Sequence, residues 1–370
     1  MKILVPTLAL VASALMTSQV LASSATDEVL RNVHVPPGFV FEVYADNVPD
    51  AREMALGAKN TLFVGTSKDK VYAITGTPGS GLKPTVRIIA RSLNVPNGVA
   101  FRDNALYVAE IHRILRFDDI ESNLERLPPP KVVRDDLPRD HHHGMRYIAF
   151  GPDGKLYVPI GAPCNVCNEP RYGLITRMNP DGTGQEIFAR GVRNSVGLTW
   201  HPITKALWFS DNGRDYLGEN APPCELNAAP RPGLDFGFPY CHGGGIKDPD
   251  FGKLGECANS TPPVQRLGAH VAPLGVKFYT GTTFPQRYRN QVLIAEHGSW
   301  NRKVKNGYRV TMVQLDGDKS TRYELFVTGF TRDDEVYGRP VDLLVLDDGS
   351  LLISDDYAGA IYRVSYAPVH

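Results

Sequence analysis

Three consecutive histidines, His141, His142 and His143, stand just ahead of the segment IAFGPDGKLYVPIG (148–161), in a chain of 370 residues that has ten histidines in all. Imidazole titrates closest to neutral pH of the ordinary side chains, so a histidine at the entrance to a hairpin is a candidate general base for a hydroxyl proton. Successive residues of an extended segment point to opposite sides, which predicts that His141 and His143 share one face. A solvated histidine-rich loop or a structural histidine is the competing reading. The stretch GVRNSVGLTWHP (191–202) sets Arg193 and Asn194 between two glycines. A permanent cation beside an amide suits an anionic or quinoid oxygen, and an arginine bridging two structural units is the alternative. FSDNGRDYLGENAPPCELN (209–227) is dense in oxygen donors: Asp211, Asn212, Asp215, Glu219, Glu225 and Asn227. Calcium takes such hard ligands together with loop carbonyls, although the spacing is not that of an EF-hand. EHGSWNRK (296–303) adds His297, Trp300 and Arg302, and YGRPVD (337–342) adds Arg339.

The elements that carry these residues repeat. ALGAKNTLFVGTSKDKVYAI (55–74), VAFRDNALYVAEIHRILRFD (99–118), IAFGPDGKLYVPIG (148–161), LTWHPITKALWFSDNG (198–213), VKFYTGTTFPQRYRNQVLIAEHG (276–298) and LLVLDDGSLLISDDYAGAIYRV (343–364) share one grammar. An apolar strand is followed by a polar turn and a second strand of large apolar residues. Pro152-Asp153-Gly154 and Asp347-Asp348-Gly349 are hairpin turns in which glycine supplies the positive φ. Starts near 55, 99, 148, 198, 276 and 343 lie 44, 49, 50, 78 and 67 residues apart, and the first three spacings are those of a four-stranded propeller blade. The reading is all-β: a six-bladed β-propeller of four-stranded antiparallel blades, a single domain over 23–370, with a long loop over 214–275 and a connector over 119–138. An α/β fold is excluded because helical periodicity between the strands is missing.

Met1-Lys2, an apolar run over 3–16 and Val20-Leu21-Ala22 read as a signal peptide cleaved near Ala22, which places the mature chain in the periplasm or outside the cell. Forty basic and forty acidic side chains cancel without blocks of one sign, which argues against nucleic acid or an anionic membrane surface as partner and in favour of a small molecule. Five cysteines (164, 167, 224, 241 and 257) are compatible with disulfides in such a compartment, and an odd count leaves one over. The spacing CNVC (164–167) reads as a loop disulfide, since no histidine follows for haem attachment and no second pair is spaced for zinc.

Taken together, HHGMRYIAFGPDGKLYVPIGAPCNVC, GVRNSVGLTWHP, WFSDNGRDYLGENAPPCELN, AEHGSWNR and GRPVDLLVLDDGSLLISDD resemble the soluble glucose/sorbosone dehydrogenase family, and its sorbosone-dehydrogenase-like branch most, from about residue 35 to 366. The resemblance implies an oxidoreductase, a quinoprotein using pyrroloquinoline quinone (PQQ) and calcium, which oxidises a sugar, aldehyde or alcohol and passes electrons to an external quinone or cytochrome. On the family pattern His143, eight residues before Gly151, is the base, and Arg193 polarises the cofactor oxygen beside Asn194. The resemblance further implies calcium held by the main-chain carbonyls of Gly213 and Arg214, and cofactor contacts from His297, Trp300, Arg302 and Arg339. Two departures stand out: His142 occupies the place of the aspartate that precedes the base in the glucose enzymes, with Asp140 nearby, and EHGSW has no match for the family's cofactor lysine. Two other classes share the scaffold, a calcium-dependent lactonase and a noncatalytic binding propeller. A lactonase calls for carboxylates on the axis, whereas the pair Arg193 and Arg339 suits a cofactor with three carboxylates.

Overall fold

The computed structural model describes residues 24–76 and 84–367, so the segment read as a signal peptide lies outside the described residues. Six sheets form the blades of a propeller, each with four antiparallel strands, and the third adds a short fifth strand, Leu234–Asp235, parallel to Glu186–Arg190. Their innermost strands are Ala51–Leu56, Gly98–Arg102, Ala149–Phe150, Leu198–Trp200, Pro273–Phe278 and Pro340–Val345, numbered here as blades 1 to 6. Second strands such as Leu62–Thr66, Ala105–Ala109, Leu156–Ile160 and Val292–Glu296 are buried at every position because blades pack against both faces. That is why they read as continuous apolar runs rather than alternating ones. The outer strand of blade 1, Thr85–Ala90, has no buried position.

The ring closes with both ends of the chain. Phe39–Ala45 supplies the outer strand of blade 6, antiparallel to Ala360–Tyr366 in a register that runs from Phe39 opposite Tyr366 to Ala45 opposite Ile361. Phe39 anchors it between blades 5 and 6, with ring centroids 4.7 Å from Phe284, 5.1 Å from Tyr288 and 5.2 Å from Phe326. The Asp-Gly turns form as read, with Gly154 at φ 78° and Gly349 at φ 81°.

Two expectations change. The region 214–275 is not one long loop: it holds the third and fourth strands of blade 4, Pro223–Ala229 and Gln265–Ala269. Glu225 and Asn227 are buried at alternate positions of the first of these, where an apolar period would be sought, and proline opens it. The connector 119–138 likewise contains Lys131–Arg134, the outer strand of blade 2, whose lack of buried positions leaves no period to read. Cys164 pairs with Cys167, as the spacing indicates, Cys241 pairs with Cys257, and Cys224 is free and buried. Among the described residues no helix is long and apolar enough to cross a membrane.

Candidate active site

Two kinds of connection meet at one end of the propeller: those joining one blade to the next, and those joining the second and third strands within a blade. Backbone hydrogen bonds lock them together, Ala162 N–H to the Arg193 carbonyl at 2.8 Å, Asn212 N–H to the Asn194 carbonyl at 3.1 Å and His297 N–H to the Ala272 carbonyl at 3.0 Å. His143 lies in the connection from blade 2 to blade 3. The segment is not extended, as the alternation argument required. It is a tight turn closed by Gly144 N–H to the His141 carbonyl at 3.0 Å, with His143 at φ 51°. The turn breaks the period of two and leaves His141 and His142 exposed while His143 is half-buried. The His142 ring packs on His143 with centroids 4.1 Å apart.

A carbonyl can only accept, so the 2.8 Å contact between His143 Nδ1 and the Ala162 carbonyl fixes the proton on Nδ1 and leaves Nε2 with a free lone pair. Burial, with the Arg193 charge and His142 nearby, pushes the His143 pKa down to about 3, so the ring is neutral over the ordinary pH range. Gly161 makes room for this arrangement: a Cβ there would stand 2.7 Å from His143 Cβ and 2.8 Å from Asn194 Oδ1.

Arg193 is buried, and every N–H of its guanidinium has a protein acceptor. Nε donates to the Asn165 carbonyl at 2.8 Å, Nη1 to the carbonyls of Asn212 at 3.2 Å and Gly213 at 2.8 Å, and Nη2 to Asn165 Oδ1 and Asp215 Oδ2, both at 2.9 Å. Its guanidinium is therefore fixed in orientation, with no donor to spare. Its own backbone is held by Asp211, which accepts the Arg193 N–H at 2.9 Å and the Asn194 N–H at 2.7 Å. Blade 6 uses the same device: Asp355, at the end of the second strand, accepts the Arg339 N–H at 2.9 Å. Blade 2 repeats it with Glu110 and the Asn94 N–H. Burial raises the carboxyl pKa of Asp355 to about 6, and burial together with the facing Glu225 raises that of Asp211.

The remaining candidates divide. His297 is buried and donates from Nε2 to Asp356 at 2.9 Å, and Arg52 pairs with the same carboxylate at 2.9 Å. Burial takes the His297 pKa down to about 4. Arg339 is half-buried, and the one hydrogen bond of its guanidinium among the described residues is a 3.5 Å contact from Nε to the His297 carbonyl. Trp300 is 69% exposed and meets Tyr216 edge-on at 6.0 Å, while Arg302 is turned to the Glu219 carbonyl and carboxylate. The Arg214 side chain reaches away from the mouth to Asp248 and Asp250. Asn165, Asp356 and Arg52 were not singled out in the sequence; the position of Asn165 inside CNVC and the acidic end of LLISDD are the signals that could have found them.

An anionic cofactor needs cations with donors to spare, and Arg339, whose guanidinium meets only the His297 carbonyl among the described residues, has them. That donor set fits PQQ. Calcium fits less well: the Gly213 carbonyl accepts from Arg193, and a dication at that oxygen would lie against a guanidinium.

The family model for glucose/sorbosone dehydrogenases matches residues 109–363. The chain belongs to that family. A protein of Borreliella burgdorferi described as uncharacterized is 35% identical over 376 residues, covering 96% of this chain and 97% of its own. Among solved structures, the calcium structure of a carbohydrate-active enzyme of family AA12 from Trichoderma reesei superposes with a TM-score of 0.78 at 19% identity, covering 91% of this chain and 97% of its own. The holo form of the pyranose dehydrogenase PQQ domain from Coprinopsis cinerea gives a TM-score of 0.75 at 17% identity, covering 90% and 97%. At these identities the two structures speak to the fold, a six-bladed propeller. Family membership carries the dehydrogenase class.

Proposed function

We propose that this chain is a PQQ-dependent dehydrogenase that oxidises a sugar or a related aldose, aldehyde or alcohol, passes the electrons to an external quinone or cytochrome, and works outside the cytosol. The observation that carries the reading is the state of His143: Nδ1–H is held by the Ala162 carbonyl, and Nε2 is neutral and free beside the buried charge of Arg193. PQQ, when bound, supplies the acceptor for the two electrons and the hydrogen that leave the substrate carbon as hydride. His143 Nε2 takes the hydroxyl proton, which lets the C–O bond become a carbonyl. Arg193 contributes positive charge that needs no reorganisation, because its orientation is already set by five hydrogen bonds. Arg339 would hold a carboxylate of the cofactor, with His297 packed beside it on Asp356.

The lactonase reading needs carboxylates gathered around a metal. Asp211 and Asp355 instead hold backbone N–H groups, and Asp356 is shared by His297 and Arg52. Among the described residues no group of three or more His, Cys, Asp or Glu could hold a metal ion. The deciding experiment is titration of purified protein with PQQ, followed by cofactor absorbance and then by dye reduction with a panel of aldoses, alcohols and aldehydes. Saturable binding with reduction by any panel member is expected. No binding up to millimolar PQQ would overturn the reading.

A further inference from the structure

The short loop closed by Cys164 and Cys167 joins the second and third strands of blade 3, and its residue Asn165 bonds both the guanidinium of Arg193 and the backbone of Asp215. Its main-chain carbonyl accepts from Arg193 Nε at 2.8 Å, and its Oδ1 accepts from Arg193 Nη2 at 2.9 Å and from the Asp215 backbone N–H at 2.9 Å. Its Nδ2 donates to the Asp215 carbonyl at 3.1 Å. Asp215 completes the ring by accepting from Arg193 Nη2 at 2.9 Å and from Asn301 Nδ2 at 2.8 Å, which ties in the loop of blade 5 that carries Trp300. One amide therefore serves two charged residues from two blades, and only an amide can do so. A carboxylate would face the Asp215 carbonyl, and an alkyl chain would leave a buried guanidinium short of an acceptor.

We propose that Asn165 is the positioning residue for Arg193 and that the Cys164–Cys167 disulfide keeps it in place, so that the electrostatics of the site depend on a bond that reductants can break. The disulfide spans three residues, with Cα atoms 6.1 Å apart, and brackets Asn165 directly. A loop confined in this way holds its tip without further ordering when the cofactor arrives, which is the requirement for a charge that must not move. The other disulfide, Cys241–Cys257, carries no residue that contacts Arg193 through a hydrogen bond, and it supplies the control. The consequence for catalysis rests on the dehydrogenase reading; the positioning itself does not.

The test follows the guanidinium N–H resonances of Arg193 by NMR, assigned by their loss in R193K, in four proteins: wild type, N165A, the C164S/C167S double variant and the C241S/C257S double variant. Slow exchange and restricted Nη rotation are expected in the wild type and in C241S/C257S, and averaging with at least tenfold faster exchange in N165A and C164S/C167S. Reducing the wild type with a phosphine should reproduce the second pattern if any variant fails to fold. N165D, which keeps the acceptor for Arg193 but sets a carboxylate against the Asp215 carbonyl, should restore only part of the protection. Unchanged Arg193 signals in N165A and in the reduced wild type would overturn the proposal. In parallel, kcat/KM should fall on the order of 10²-fold in N165A, the loss that misplacing a fixed group by about 1 Å brings. A wild type that binds no PQQ but shows the expected Arg193 pattern would defeat the dehydrogenase reading and leave the positioning intact.

Discussion

His143 donates from Nδ1 to the carbonyl of Ala162 at 2.8 Å, and this one bond decides which ring nitrogen carries the proton. The left-handed backbone of His143, φ 51°, makes asparagine the replacement of choice, since it tolerates that conformation and carries no base. H143N should bind PQQ within about twofold of the wild type while kcat falls by roughly 10² to 10⁴, the range for loss of a general base. Stopped-flow dye reduction and absorbance titration separate the two quantities. Retention of full turnover would remove His143 from the chemistry.

The depressed pKa of this histidine fixes the pH behaviour. In the unfolded chain it titrates near 6.5 and in the folded chain at about 3, so between those values the unfolded state binds more protons. The stability it contributes is complete above about pH 6.5 and is lost as pH falls toward 3. The melting temperature of the wild type relative to H143N should therefore be higher at pH 7.5 than at pH 4.5. The acid limb of kcat/KM should lie well below pH 6. An acid limb at 6 to 7 would take the role of base away from His143.

Gly161 is a steric requirement of the site. A Cβ there would come within 2.7 Å of His143 Cβ, 2.8 Å of Asn194 Oδ1 and 2.9 Å of the His143 carbonyl, so two site residues must shift to admit it. G161A should cost about 1–3 kcal/mol of stability, as overpacking does elsewhere. Its kcat should fall further than that loss of folded protein explains. Equilibrium urea unfolding and kcat on the same preparation test this, and a variant with wild-type kcat would show that the close approach of Gly161 to His143 and Asn194 is not needed.

Much of this arrangement was legible in the sequence because turns and periods are local. Asp153-Gly154 and Asp348-Gly349 announced their hairpins, and six strand-turn-strand units, the first four of them spaced by about one blade, announced the ring. Phe39–Ala45 escaped because its partner strand, Ala360–Tyr366, is at the far end of the chain, and no local pattern encodes that pairing. Pro223–Ala229 escaped because its buried positions include Glu225 and Asn227. At the site, His143 and Arg193 could be singled out by residue type and neighbours. That Arg193 has no free donor depends on Asn165, Gly213 and Asp215 converging from two other loops, which only the tertiary structure supplies.

The crowding at Gly213 leads to a prediction about metal. The carbonyl that would hold calcium accepts from Arg193 Nη1 at 2.8 Å, and the neighbouring Asn212 carbonyl accepts from the same nitrogen at 3.2 Å. A guanidinium already occupies one acceptor position of each of these oxygens, and a second cation beside it meets direct repulsion that a desolvated site does not screen. Chelation of calcium should therefore leave the melting temperature of the cofactor-free wild type unchanged. R193M, which removes the resident cation and leaves the carbonyls and Asp215 without it, should gain stability from added calcium that the wild type does not show. The size of that gain should grow with the logarithm of calcium concentration once the site is saturated. Differential scanning calorimetry of both proteins across a calcium series, with magnesium as the control, distinguishes the outcomes. A wild type that melts lower in chelator would mean that calcium competes successfully with Arg193 for Gly213 or binds elsewhere.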